Sequence, residues 1–338
     1  MHRERFERAV LMGPSRIFRL LGFVLAAFIF ASAAAQQPPS VARITVLLAA
    51  FQTQSPEAQQ FREGMRSLGY IDGRDVLVTW RSAEGDYARL PSMVAAAMAE
   101  KPDVIVVEGT IAALAVKKTN SSVPMVMAVV GDPLASGLVD SLARPGGAIT
   151  GLSMMQTDIV AKRLQLLKEA IPQLRRVGVL WDPSIPWHET AVRTLANAGE
   201  DLRIQVTPVR VAEADGFGPE FSELQRARAE ALYILDSARL GYRSEELLRM
   251  AATARLPVVY SRREWAKHGA LLSYSADFAE MFRRSAQYVD RILKGAKPGD
   301  LPVEQPTKFE LALNLRTAQV LGLKIPQSVV GQADQVYR

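Results

Sequence analysis

The sequence of 338 residues contains no cysteine. This excludes a structural disulfide, a thiolate zinc site, a catalytic thiol and a lipid anchor on an amino-terminal cysteine. The chain has three histidines, and His188-Glu189 is followed by Val192 where a zinc protease needs its second histidine. We find no G-x-G-x-x-G, P-loop or G-x-S-x-G motif. The sequence therefore predicts no cofactor, no metal and no enzyme, although a hydrolase with two carboxylates has no such signature and stays an alternative.

Long apolar runs are also scarce. The run Leu20–Phe30 has 11 residues, whereas a membrane-spanning helix needs about 20. It follows a basic segment and precedes Ala33-x-Ala35, which is the pattern of a secretory signal peptide over residues 1–35 that is cleaved before Gln36. An uncleaved anchor is the alternative. We therefore expect a soluble protein of a bacterial periplasm.

The net charge is small once the predicted signal peptide is removed. Residues 36–338 contain 36 basic and 33 acidic residues, so much of the basic character of the chain lies in the leader. A basic face is the electrostatic signature of nucleic-acid binding, and we expect no nucleic acid as a partner. Hydrophobic residues make up 49% and charged residues 22% of the chain, as in an ordinary globular protein.

Short apolar runs alternate with helical spacing from Val41 onward, which indicates βα units on parallel sheets. Eight runs form two sets of four that repeat with an offset of about 130 residues: RITVLLA answers RRVGVLW, for example. This favours an α/β fold of two similar lobes. The predicted strands are Ile44–Ala49, Val76–Trp80, Val104–Val107, Met125–Val130, Val177–Trp181, Ile204–Val209, Ala231–Leu235 and Val258–Tyr260.

A single (β/α)₈ barrel is the alternative, because it also has eight units. Two interruptions argue against it, RPGGAITG after the fourth unit and HGALLSYSAD after the eighth. A long helix, Phe278–Leu293, a proline-rich strand region and a short last helix then follow, so the chain crosses back to the first lobe. We predict lobe 1 over residues 41–150 and 276–306, and lobe 2 over residues 151–275 and 307–338.

Several long phrases resemble the ABC-transporter substrate-binding family that includes tryptophan-binding members. They are FREGMRSLGYIDGRDV, EGDYARLPSMVAAAMAEKPDVIVVEGT, VVGDPLASGLVDSLARPGGAITGLS, AKRLQLLKEAIPQLRRVGVLWDP and YVDRILKGAKPGDLPVEQPTKFELALNLRTAQVLGL. The resemblance covers nearly the whole mature chain. It implies a type I periplasmic-binding-protein fold with three crossovers, a ligand between two lobes, no catalysis, and transfer of the ligand to a membrane permease. It does not identify the ligand.

Ligands of open parallel sheets bind beyond the carboxyl ends of the strands, where helix N-termini favour carboxylates. Ser55 before Pro56 has the pattern of a helix cap. We therefore favour Phe51, Gln52 and Thr53, and not Ser55, as ligand-binding residues. Thr110 can cap a helix and bind a ligand, and Asp132 before Pro133 can cap a turn or accept a hydrogen bond from a ligand ammonium, which we favour. The lobe 1 candidates are Phe51, Gln52, Thr53, Gly109, Thr110 and Asp132.

The second lobe offers equivalent positions. Trp181 suits stacking on a flat ligand or filling the core of its own lobe, and Tyr274 lines the hinge or packs between the lobes. We interpret Arg262 as an exposed arginine, although it has the chemistry to pair with a carboxylate. The lobe 2 candidates are Trp181, Pro183, Ser184, Asp236, Ser237, Tyr260 and Tyr274.

These features predict an exported, monomeric solute-binding protein of an ABC importer. Aromatic side chains at the strand ends favour a small organic ligand, such as a zwitterionic amino acid or an aromatic compound. The expected partners are this ligand and an inner-membrane permease. A two-domain periplasmic enzyme and a ligand sensor for a membrane receptor are the alternatives, because both occur on the same fold.

Overall fold

The computed structural model describes residues 41–211 and 216–338. The predicted signal peptide, residues 1–35, lies outside these described residues. Among the helices that are described, none is long and apolar enough to cross a membrane.

The strands of the described chain form two sheets. The first has the order β2-β1-β3-β4-β5 and the second the order β12-β11-β10-β9-β8-β6-β7. Neighbouring strands are parallel except for β10 and β11, which are antiparallel. The strands are β1 Ala42–Leu48, β2 Val76–Ser82, β3 Val104–Glu108, β4 Met125–Val130, β5 Ile149–Ser153, β6 Arg176–Trp181, β7 Gln205–Arg210, β8 Ala231–Ile234, β9 Val258–Tyr260, β10 Leu272–Ser275, β11 Glu310–Asn314 and β12 Gln335–Tyr337.

Helices connect and cover the strands. They are α1 Pro56–Ser67, α2 Leu90–Ala99, α3 Thr110–Lys117, α4 Gln156–Ala170, α5 Trp187–Leu202, α6 Gly218–Arg226, α7 Ala238–Tyr242, α8 Ser244–Thr253, α9 Arg263–Lys267, α10 Phe278–Leu293, α11 Leu315–Leu321 and α12 Gln327–Val330, with 3₁₀ turns at Tyr87–Arg89 and Pro298–Asp300. We refer to the first sheet and its helices as lobe 1, and to the second sheet and its helices as lobe 2.

The central strands of both sheets are apolar because helices cover both of their faces. Every residue of β3 and of β4 is buried. Helix α10 belongs to lobe 1, where it packs on α1, and Asp277 caps it by accepting hydrogen bonds from the amides of Ala279 and Glu280 at 2.9 and 3.2 Å. The two helices touch at Gly64, where an added Cβ would lie 2.8 Å from the Arg283 carbonyl oxygen.

The chain crosses between the lobes three times. It passes from β5 to α4 at residues 154–155, from β10 to α10 at residues 276–277, and from lobe 1 to β11 after Glu304. The third crossing is placed after Glu304 because this residue is still bound to β5 of lobe 1. The Glu304 amide donates to the Gly151 carbonyl, and the Glu304 carbonyl accepts from the Ser153 amide, both at 2.9 Å.

The predicted fold class is confirmed: the protein has two α/β lobes, and the barrel alternative is wrong. The eight predicted strands correspond to β1–β4 and β6–β9, and the two predicted interruptions form the additional strands β5 and β10. The lobe boundaries stated above stay a prediction. Ser55 is a helix cap, as expected, since its Oγ accepts from the Ala58 amide at 3.2 Å.

Candidate ligand-binding site

A cavity lies between the lobes at the carboxyl ends of the strands. Its volume is about 30 Å³, which is room for about two water molecules. The lobes must therefore move apart before an organic molecule can enter. Lobe 1 contributes the ends of β1, β3 and β4, and lobe 2 contributes the ends of β8 and β9 and the start of α5. The lining residues are Ala50, Phe51, Tyr87, Glu108, Gly109, Thr110, Ile111, Val129, Gly131, Met154, Ile185, Trp187, Asp236, Ser237, Ala238, Gly241, Tyr260, Arg262 and Phe278.

Glu108 is the buried acid of lobe 1. Its Oε2 accepts hydrogen bonds from the backbone amides of Ala49, Ala50 and Phe51, at 2.8, 2.9 and 3.4 Å. Burial raises the pKa of Glu108 to about 7; the nearby Asp236 also raises it, whereas the amides and Arg262 lower it. The side chain can therefore gain or lose a proton near neutral pH.

Asp236 is the acid of lobe 2. Its Oδ1 accepts hydrogen bonds from the Tyr260 hydroxyl at 2.6 Å and from Ser261 Oγ at 2.9 Å. Burial, followed by the charge of Asp236, raises the pKa of Tyr260 well above its usual value, so the Tyr260 hydroxyl stays protonated and donates. Both hydroxyls bind the same oxygen, which fixes the orientation of the carboxylate.

His188 supports Asp236 from inside lobe 2. Its Nδ1 accepts from the Asp182 amide at 3.0 Å, so its Nε2–H donates to the Asp236 carbonyl oxygen, also at 3.0 Å. Burial lowers the pKa of His188 to about 4. The ring is therefore neutral, and it positions the end of β8 instead of acting as a base.

Two hydrogen-bond donors of the cavity lining have no partner in the described chain. Arg262 Nε and Trp187 Nε1 are both buried and both lack an acceptor. The Arg262 guanidinium lies over the Phe51 ring, 4.2 Å from its centroid, and 3.8 Å separates its Nη2 from Glu57 Oε1. A buried donor without an acceptor costs about 1–3 kcal/mol, so each of these two donors favours a hydrogen-bond acceptor.

Six predicted site residues line the cavity: Phe51, Gly109, Thr110, Asp236, Ser237 and Tyr260. Gly109 has φ +90°, and an added Cβ would lie 2.7 Å from the Ala49 Cβ, so a side chain does not fit there. Thr110 Oγ1 accepts from the Gly131 amide at 3.4 Å. The binding of a ligand by these residues stays a prediction.

Three predicted residues of lobe 1 lie outside the cavity lining. Asp132 caps the turn after β4, where its Oδ1 accepts from the Ala135 amide at 2.9 Å. Gln52 is exposed, and the Thr53 carbonyl accepts from Arg62 at 2.8 Å. Local hydrogen bonds thus occupy the positions where the sequence suggested ligand contacts.

Four predicted residues of lobe 2 also lie outside the cavity lining. Trp181 packs against the apolar core of its lobe, and Tyr274 stacks on Phe309 with 5.7 Å between the ring centroids. Pro183 is half-buried in the turn before α5. Ser184 Oγ donates to Asp182 Oδ1 at 2.6 Å.

Sequence reasoning missed Glu108, Tyr87 and Trp187, and it interpreted Arg262 as exposed. One signal for Glu108 exists: it is the charged last residue of an otherwise apolar strand, VIVVE. Tyr87 and Trp187 begin the helical segments that follow β2 and β6, and a rule that considers only the residues directly after a strand does not reach them. Arg262 is mostly buried, with 18% of its side chain exposed.

A group of three or more metal-ligating side chains is absent from the described residues. Two α/β lobes with three crossings and a polar cavity between them define a bilobed binding protein of the type I periplasmic-binding-protein class. The sequence matches the family of ABC transporter substrate binding proteins over residues 52–337. The chain therefore belongs to the ABC transporter substrate-binding family, whose members are extracytoplasmic binding proteins and not enzymes.

Similar proteins agree with this membership. A tyrosine-binding protein of Clostridioides difficile is 23% identical over 264 residues, which cover 78% of this chain and 76% of that protein. The structure of an ABC domain from Streptococcus pneumoniae in complex with L-Trp has a TM-score of 0.82 at 24% identity, covering 88% of this chain and 100% of the other. A conserved domain protein of Vibrio cholerae has a TM-score of 0.79, also at 24% identity and with the same coverage.

The contact between Gly131 and Trp187 gives a test of closure. A Cβ added to Gly131 would lie 2.6 Å from Trp187 Cε2, in the other lobe. We expect Gly131→Ala to weaken ligand binding by at least about tenfold, because the clash opposes this closed arrangement while each lobe keeps its own packing. Calorimetry gives the affinity, and Gly218→Ala is the control because open space surrounds that glycine. Equal affinities of the two variants would contradict the expectation.

Proposed function

We propose that this chain is the binding protein of an ABC importer for an α-amino acid, and that it holds the zwitterion between its lobes. The observation that supports this is that two carboxylates and two buried hydrogen-bond donors without an acceptor line the same cavity. Glu108 and Asp236 offer carboxylate oxygens to an ammonium group, while Arg262 Nε and Trp187 Nε1 offer donors to a carboxylate. Few other small molecules carry both groups one carbon atom apart.

An aromatic or large apolar side chain suits the remaining walls. Phe51 and Phe278 contact each other edge to face at 6.4 Å in lobe 1, and Ile111, Ile185 and Met154 complete an apolar surface. Aromatic rings prefer such edge and offset contacts. Two of the similar proteins are described as binding tyrosine and L-Trp, which are ligands of this kind.

Transport follows from closure. An amino acid that binds both lobes stabilises the closed form in proportion to its extra contacts there. A permease that recognises the closed form then receives mainly loaded protein. Export to the periplasm, with cleavage of residues 1–35, and a separate membrane permease complete this proposal.

A screen of related compounds tests the zwitterion. We expect L-tyrosine or L-tryptophan to bind, whereas tyramine and tryptamine, which lack the carboxylate, and 3-(4-hydroxyphenyl)propionate, which lacks the ammonium, bind at least about a hundredfold more weakly, because each leaves buried charged groups unpaired. Calorimetry measures all five. Equal binding of an amine and its parent amino acid would contradict a carboxylate site, and no response to any of the twenty L-amino acids would overturn the proposal.

Replacement of Glu108 separates binding from stability. We expect Glu108→Gln to weaken amino-acid binding by at least about tenfold, since it removes the charge that faces the ammonium. The same change should raise the melting temperature of the ligand-free protein by several degrees at pH 8, because the buried carboxylate is unfavourable when ionised. Glu220→Gln is the control, as Glu220 is equally buried but lies outside the cavity lining. Unchanged affinity in Glu108→Gln would count against a role for this acid.

The affinity should depend on pH. The pKa of Glu108 is raised to about 7, so at pH 6 the carboxyl is mostly protonated, and a bound ammonium must displace that proton. We expect the affinity to rise by up to about tenfold between pH 6 and pH 8 with release of a fraction of a proton. Calorimetry in buffers of different ionisation enthalpy measures this release, and the Glu108→Gln variant should lose both effects. A pH-independent wild-type affinity would contradict this assignment.

A further inference from the structure

One side chain of lobe 1 reaches deep into lobe 2. Tyr87 opens the 3₁₀ turn Tyr87–Arg89 that follows β2, and Asp86 caps this turn by accepting from the Ala88 amide at 3.0 Å. The Tyr87 hydroxyl lies among lobe 2 groups, 3.1 Å from Ser237 Oγ and 3.3 Å from the Arg239 amide nitrogen. Burial raises the pKa of Tyr87, so the hydroxyl keeps its proton.

The direction of each hydrogen bond in this contact can be assigned. The Arg239 amide can only donate, so the Tyr87 oxygen accepts from it. Ser237 Oγ donates its proton to Asp182 Oδ2 at 3.2 Å, because a carboxylate oxygen accepts. Tyr87 must therefore donate to Ser237 Oγ. The three side chains form a relay in which every proton points toward Asp182.

Asp182 is a fixed end point for this relay. It is fully buried, and its other oxygen accepts from the amide and the hydroxyl of Ser184 at 3.0 and 2.6 Å. These bonds lie within lobe 2, so opening of the lobes leaves them intact and removes only the two bonds of the Tyr87 hydroxyl, to Ser237 and from the Arg239 amide. Tyr87 and Ser237 line the cavity, whereas Asp182 does not, so only the end of the relay lies away from the ligand site.

Other groups around Tyr87 also form close contacts between the two lobes. The Arg239 guanidinium carbon lies 4.7 Å from the Tyr87 ring centroid. Gly85 has φ +77°, its amide donates to the Ala49 carbonyl at 2.7 Å, and an added Cβ would lie 2.7 Å from the Cβ of Tyr242 in lobe 2. The loop before Tyr87 is thus shaped to meet α7 closely.

We propose that the relay Tyr87–Ser237–Asp182 is a latch that stabilises the closed conformation independently of the ligand. The proposal rests on the proposed function in one respect, that ligands bind the closed form. The apparent dissociation constant equals the intrinsic constant divided by the closed fraction of the free protein. Tyr87 is then a positioning residue that scales the affinity for every ligand of the cavity by the same factor.

The test removes the hydroxyl and measures closure directly. Tyr87→Phe keeps the ring, and Tyr70→Phe is the matched control, because the Tyr70 hydroxyl donates to Asp290 Oδ1 at 2.9 Å within lobe 1. The cysteine-free chain accepts spin labels at Ala95→Cys on α2 and Asn197→Cys on α5, both exposed and on different lobes. Pulsed electron spin resonance then gives the distance distribution without ligand.

We expect the ligand-free protein to show a measurable closed population that falls at least about fivefold relative to the open one in Tyr87→Phe, because the change removes two hydrogen bonds between the lobes. Tyr70→Phe should leave the distribution unchanged. The dissociation constants of L-tyrosine and L-tryptophan should rise by one common factor in Tyr87→Phe. We expect this rise to come from faster dissociation of both amino acids. If Tyr87→Phe does not fold, Ser237→Ala interrupts the same relay from lobe 2 and must produce the same shift.

Three outcomes would overturn the latch: a fully open ligand-free wild type, an unchanged distance distribution in Tyr87→Phe, or a loss of affinity for only one of the two amino acids, which would make Tyr87 a ligand contact. The distance measurement needs no ligand. A wild type that binds neither amino acid therefore overturns the proposed function but leaves the test of the latch intact.

Discussion

The buried carboxylate of Glu108 is the constraint on which the rest of the site depends. A charge without water is costly unless hydrogen bonds and opposite charges surround it. Here three consecutive backbone amides at the end of β1 bind one oxygen, and Arg262 approaches from the other lobe. The compensation is incomplete, because burial still raises the pKa of Glu108 to about 7.

Closure of the lobes and the electrostatics of the cavity depend on each other. Asp236 and Arg262 belong to lobe 2, so both the repulsion and the attraction that Glu108 experiences change when the lobes part. The bond between Tyr87 and Ser237, which both line the cavity, also joins the lobes, but it involves neither Glu108 nor Arg262.

Much of the fold could be predicted from the sequence, because a buried parallel strand is a continuous apolar run. Such a run can be recognised without knowing which strands lie next to it in the sheet. The candidate site followed less well. The rule that ligands lie beyond strand ends located Phe51, Gly109, Thr110, Asp236, Ser237 and Tyr260 at the cavity. Asp132 and Ser184 lie outside the cavity lining, because short polar side chains after a strand bind their own turn when the geometry allows it. Trp181 also lies outside it, because its ring packs against the core of its lobe.

The sequence by itself determined the two α/β lobes, the position of each central strand, and the absence of thiol chemistry. Only the tertiary structure decided which side chains face one another across the cavity. Trp187 meets Gly131, and Tyr87 meets Ser237, although the second pair is separated by 150 positions in the chain. The physical reason is that local patterns record whether a residue is buried within its own element, whereas a contact between lobes depends on how two folded bodies fit together.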